Sequence, residues 1–177
     1  GGTNAVAIDW SSVVSTVGNP IRTLTSDASL VVSGVMRLNL GGYVLASGSF
    51  VVAKSTTSVA VSGSESVPAD LLTIDLTSVN LFVGVGAAFD GATASINSDN
   101  ATGFLASSAN LSVAMAKSTR ANDTRRWTGI AARAASLSVV GLPSGYVVEV
   151  KDLLVQSNSA SGQSETAAAA RPISWAP

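Results

Sequence analysis

The side chains that could do chemistry here are eleven carboxylates, with no histidine and no cysteine beside them. Without histidine the chain lacks the commonest general base and transition-metal ligand. Without cysteine it has no thiolate nucleophile, no zinc-thiolate site and no disulfide. Hydrolysis of a glycoside would need two of the carboxylates facing each other across a cleft. The acids Asp9, Asp27, Glu65, Asp70, Asp75, Asp90, Asp99, Asp123, Glu149, Asp152 and Glu165 are instead scattered beside turns and strand ends. None has the aromatic neighbours of a sugar site. Gly-x-Ser-x-Gly elbows and phosphate-cradling glycine loops are absent. The expectation is a protein that is not an enzyme and needs no cofactor.

Calcium is the one metal whose hard oxygen ligands are on offer. Asp90, Asn97, Asp99 and Asn100 share one polar loop, which makes them calcium candidates. Their spacing is not that of an EF-hand, and the glycine-aspartate nonapeptide of calcium-loaded β-rolls is missing. The competing reading is an ordinary Asp/Asn/Ser/Gly turn.

Cations are equally sparse. Arg120, Arg125, Arg126 and Arg133 come closest to a basic patch, within a net charge of −1. They read as a solvated edge, and nucleic acid is not an expected partner. No run reaches the roughly 18 apolar residues of a membrane-spanning helix, so membrane insertion is not expected either. Charged residues make up 12% of the chain, against roughly 25% in an average soluble domain. So uncharged a surface suits an extracellular or assembled protein better than a crowded cytosol.

Two of the three tryptophans fall in one matching step. Ile8-Asp9-Trp10 stands near the start and Ile173-Ser174-Trp175 near the end. That is the pattern of a tandem unit whose end resembles the start of the next. It makes Trp10 and Trp175 candidate interface residues. Gly1-Gly2-Thr3 reads as a cut or excised end.

The elements that carry these residues are almost all strands. Leu30, Val32, Met36, Leu38 and Leu40 alternate with polar residues, the mark of a half-buried strand. Gly41-Gly42 predicts a hairpin turn at positive φ, with return over Tyr43–Lys54. Further strands are expected at Leu71–Phe89, Thr102–Lys117, Arg126–Val140 and Tyr146–Gln156, with Leu142–Gly145 a tight turn. The apolar phase switches near Thr77-Ser78 and again near Lys151-Asp152. A regular strand cannot do this, so both places predict a β-bulge or bend. Two similarities recur: Ser78-Val79-Asn80-Leu81 with Ser108-Ala109-Asn110-Leu111, and Ala53–Thr56 with Ala116–Thr119. They read either as strand duplication or as a by-product of composition. A helix is expected only at Asp9–Val17, capped by Asp9 and ended by Gly18-Asn19-Pro20, where it would plug an open core.

The fold class is therefore all-β. A long-stranded antiparallel meander rolls into a barrel, sandwich or open trough, with at most one short N-terminal helix. Residues 1–28 form an N-terminal segment, 29–160 the β domain, and 161–177 a linker or junction. The apolar sets Leu30/Val32/Met36/Leu38 and Leu105/Leu111/Val113/Met115 are expected to face one core, with Trp127 on the side of Leu137 and Val139.

Asn80–Gly86, Tyr43–Phe50, Trp127–Ile130 and the Asp-Trp boundary together resemble motifs in the tandem repeats of giant bacterial surface or secreted proteins, in units of about 165 residues. The resemblance spans Ile8 to Trp175 and implies a repeat unit of an extracellular array. It carries no functional residues over. The expected role is a structural repeat or subunit of an extracellular array, filament or giant surface protein, partnered by copies of itself. The alternative is an adhesive module that binds a glycan or protein ligand at the cell surface.

Overall fold

The computed structural model describes residues 7–62, 65–91 and 93–175, so Gly1-Gly2-Thr3 lies outside the described residues. Strands take 63% of the residues and helix 4%, as the alternation requires. Six long strands form one antiparallel meander: β1 (Ala28–Leu40), β2 (Val44–Ser62), β3 (Glu65–Val85), β6 (Thr102–Ser118), β7 (Arg126–Val140) and β8 (Val148–Ser161). A minimal hairpin, β4 (Ala88–Phe89) and β5 (Ile96–Asn97), interrupts the order between β3 and β6. The first and last long strands do not pair with each other, so the sheet is not a closed barrel.

Turn chemistry sets the first hairpin as expected. Gly41 and Gly42 have φ of 62° and 77°, and the Tyr43 N–H donates to Leu40 O at 3.1 Å. The second hairpin is longer than its apolar pattern suggests. β2 runs on through Ser55–Ser62, and β3 begins at Glu65 although Pro68 lies within it. At Pro68 the strand pairs with β2 only, because β6 begins its pairing at Ala69. Beyond that ladder only the Pro68 carbonyl is engaged, accepting from Thr119 N–H at 3.0 Å, so the N–H that proline lacks is not missed.

Paired residues in an antiparallel sheet share a face, and faces alternate along each strand. One face, here called A, carries Leu45, Val59, Val67, Phe82, Leu105 and Trp127. Two small cores sit on it, one at each end of the strands. At one end the 86–101 segment covers Leu45, Phe82 and Leu105. Arg37 holds that segment, donating to Gly91 O at 3.2 Å with its guanidinium 4.3 Å from the Phe89 ring. At the other end residues 162–175 turn back over Val59, Val67, Ala69, Ala116 and Trp127, with Ile173 packed against them. The Trp127 indole N–H donates to Arg171 O at 3.1 Å.

A line of kinks crosses the sheet between these cores, with the register shifted between β3 and β6 and kept between β7 and β8. Ser78, Ser108 and Asp152 have φ of 52°, 51° and 52°, a region L-residues seldom enter. Ser78 and Asp152 are the two places where the apolar phase switches. Ser108 is a third, and it explains the Ser-x-Asn similarity. The Asn110 side-chain oxygen accepts from Ser78 N–H (3.1 Å), and that of Asn80 accepts from Ser108 N–H (3.3 Å). The two copies clasp each other across β3 and β6.

The bulges also revise two expectations. Leu105 falls on face A, away from Leu111, Val113 and Met115. Trp127 lies on face A, opposite Leu137 and Val139, because β7 shifts phase beside Ser108. Helix α1 is only Trp10–Val13, with Asp9 capping it through Ser11 N–H (2.9 Å), and a 3-10 turn follows at Pro20–Thr23. The run Val13-Val14 is β-branched and poor in helix propensity. No residue of α1 is buried, so the helix plugs nothing.

Gly84 and Gly103 pair beneath the Phe82 ring. A Cβ on Gly84 would stand 2.2 Å from Thr102 O. Gly84→Ala is expected to lower the melting temperature by several degrees, and Gly91→Ser to lower it less, because its site is open and only its φ of 57° opposes a side chain. Thermal denaturation of both variants checks this.

Candidate functional site

The arginine cluster is structural. Arg125 is buried, and its guanidinium grips Asp123 with Nε at 3.0 and 3.1 Å and Nη2 at 2.7 Å from the carboxylate oxygens. Nη2 also reaches Glu65 Oε1 at 3.0 Å, and Arg120 meets the same oxygen at 3.1 Å. These contacts tie the β2–β3 turn to the β6–β7 turn. Hydrogen bonds from Arg125 hold the Asp123 carboxyl down to about 2. The reading of these arginines as a solvated edge therefore fails at Arg125. Sequence spacing hides its partner Glu65, which β3 delivers from far upstream.

Among the calcium candidates, the Asn97 side chain and the Asp90 carbonyl serve the loop itself. Asn97 Oδ1 accepts from Asp99 N–H at 3.0 Å, and the Asp90 carbonyl accepts from the Thr93 hydroxyl at 2.6 Å. Among the described residues no three acidic side chains gather as a metal site.

The two matching tryptophans lie in different surroundings. Trp10 opens α1, and its backbone N–H donates to Leu24 O at 3.1 Å. Trp175 lies flat on face A over Gly129, where an added Cβ would meet its ring at 2.7 Å. Its indole N–H donates to Asn158 Oδ1 (3.1 Å), and Asn158 Nδ2 donates back to Ile173 O (2.7 Å). Each tryptophan is 36% exposed. Beside Trp175 a groove of about 620 Å³ is floored by small residues and edged by Thr73, Asp75, Gln156 and Asn158.

The other face of the sheet, face B, is the larger feature. Outside the bulges it carries Leu30, Val32, Met36, Leu38 and Leu40 from β1, and Val44, Phe50 and Val52 from β2. From β3 and β6 come Leu72, Ile74, Leu76, Leu81, Val83, Phe104, Leu111, Val113 and Met115. Ile130, Leu137, Val139, Val148, Val150 and Val155 complete it. The apolar sets expected to share a core are therefore together on this face, Leu105 excepted, but the face is not a core. Leu30, Leu40, Phe104, Val148 and Val155 are at least half exposed, at 50–56%. Charge appears on it in one place, where Lys54, Asp70, Lys117 and Arg126 occupy two adjacent cross-strand rows at one end. Alternation foretold the apolar face. It could not foretell that the covering segments both lie on the other side.

No protein-family model, no curated protein and no solved structure matches this chain.

Proposed function

We propose that this protein is a structural building block that associates with copies of itself, a repeat or subunit of an extracellular array, filament or large surface protein. The observation that carries the reading is the uncovered apolar face of a single sheet. Monomeric soluble proteins rarely leave more than a few hundred Å² of contiguous apolar surface in water, and larger patches mark interaction sites. The absence of histidine and cysteine, the low charge and the matching Ile-x-Trp steps support the same reading. So does the resemblance to tandem surface repeats, with Trp10 and Trp175 at junctions between units. Among the described residues no helix is long and apolar enough to cross a membrane.

Sedimentation velocity over a range from about 1 to 200 μM tests this. The expected result is a sedimentation coefficient that rises with concentration as dimers or larger species form. A single monomeric species across the range would contradict it.

The groove beside Trp175 favours a second reading, an adhesive module. An exposed indole next to amide, hydroxyl and carboxylate groups suits a glycan, whose sugar faces stack on aromatic rings while its hydroxyls take hydrogen bonds. Binding on a glycan panel that disappears in Trp175→Ala would establish it.

A further inference from the structure

We infer that association runs face to face: a second copy of this chain lays its own face B on the first, and the pair forms a two-layer sandwich. This rests on the assembly reading above and assigns the surface that carries it. The half-exposed apolar residues of face B present on the order of 900 Å², against the roughly 800 Å² that each partner buries in a standard interface. Sheets stack with interdigitating apolar side chains about 10 Å apart. The same patch on both copies gives a closed two-fold pair.

The alternative route, extending the sheet edge to edge in a continuous array, would need the outer edges of both β1 and β8, whereas a two-fold β1–β1 pair would need β1 alone and is tested by the amide exchange below. β8 carries the devices that discourage such pairing. Its strand is kinked at Asp152, where φ is 52°, and Glu149 and Lys151 precede that kink on face A, joined at 3.3 Å. Face B has no comparable protection away from its charged end.

That end also fixes the relative direction of the copies. If the two-fold axis ran along the strands, the two charged ends, each with three cations and one carboxylate, would meet, with Lys54 set over Arg126 although Asp70 would fall over Lys117. A two-fold axis across the strands separates the charged ends and lets each project past the far end of its partner, near Val83 and Phe104. The copies therefore lie antiparallel.

The test uses the full chain and two variants. Phe104→Lys combined with Val83→Lys places charge on face B at positions already 56% and 43% exposed, so the monomer should still fold. Val35→Lys does the same on face A at a position 72% exposed. Sedimentation should show association weakened at least tenfold in the first variant and unchanged in the second. Circular dichroism confirms that both are folded. Backbone amide exchange of the unaltered chain supplies the independent reading, with the outer-edge amides of β1 and β8 still exchanging freely in the associated state. Association that survives the face-B charges, with those edge amides protected, would overturn the face-to-face assignment and leave the assembly reading standing. A monomer at all concentrations would remove both. A monomer that carries acyl chains in native mass spectrometry would give the face to lipid and overturn the proposal.

Discussion

Trp127→Ala should cost about 3–5 kcal/mol, the range for truncating a large buried aromatic. Trp127 is 1% exposed and packs among Val59, Val67, Ala69 and Ala116. It is the largest fully buried side chain of the molecule's described residues. Its indole N–H is also the hydrogen bond that fastens Arg171 and the returning C-terminal segment. A cavity there would therefore loosen the 162–175 cover as well as the core. Trp10→Ala and Trp175→Ala should lower the melting temperature far less, because both rings are more than a third exposed. Chemical denaturation of the three variants at a dilution where the protein is monomeric separates folding from association.

The second large effect is expected at the buried ion pair. Asp123→Asn leaves Arg125 buried with half its partners, and breaking a buried pair in this way typically costs about 3–5 kcal/mol. The Asp123 side chain is fully inaccessible and that of Arg125 only 7% exposed, so solvent screens little of the loss. The pair also makes stability depend on pH in a defined window. Because the folded-state carboxyl is depressed to about 2 from the ordinary 3.8, its contribution is complete above the unfolded value. It fades as pH falls from about 5 towards 2, by roughly 2 kcal/mol in all. Glu65, drawn down by hydrogen bonding to Arg125, acts in the same direction. The melting temperature of the unaltered chain should fall steeply below pH 4, and that of Asp123→Asn should start lower and fall less. Parallel acid limbs would remove the argument. Joint replacement of Asp123 and Arg125 by leucine and methionine should recover part of the loss, since neither charge is then left alone.

These two residues show where sequence reading reaches and where it stops. The strands were legible because Leu30–Leu40 and Leu72–Leu76 alternate in period 2. The bulge at Ser78 and the bend at Asp152 were legible because the apolar phase switches against that period. The bulge at Ser108 was not, since Ala106-Ser107-Ser108-Ala109 offers no contrast between faces. Its trace was present in the Ser-x-Asn similarity, read as duplication or as a by-product of composition, whose two copies clasp each other. The strand portions Ser55–Ser62 and Glu65–Asp70 were missed because serine, threonine and Pro68 look like a loop. The Arg125 site was missed because its partners converge only when β3 and β6 pair. Least legible of all was which face is covered. Alternation separates two faces but says nothing of where the 86–101 and 162–175 segments come to rest.

The most direct measurement follows from the chain's only two methionines, Met36 and Met115, both on face B. Their oxidation by dilute hydrogen peroxide, followed by mass spectrometry at about 1 μM and at about 200 μM protein, reads the cover of that face without any mutation. If face B is the assembly surface, both methionines should oxidise readily in dilute solution and several-fold more slowly in concentrated solution, in step with association. Association that leaves both oxidation rates unchanged would contradict the account.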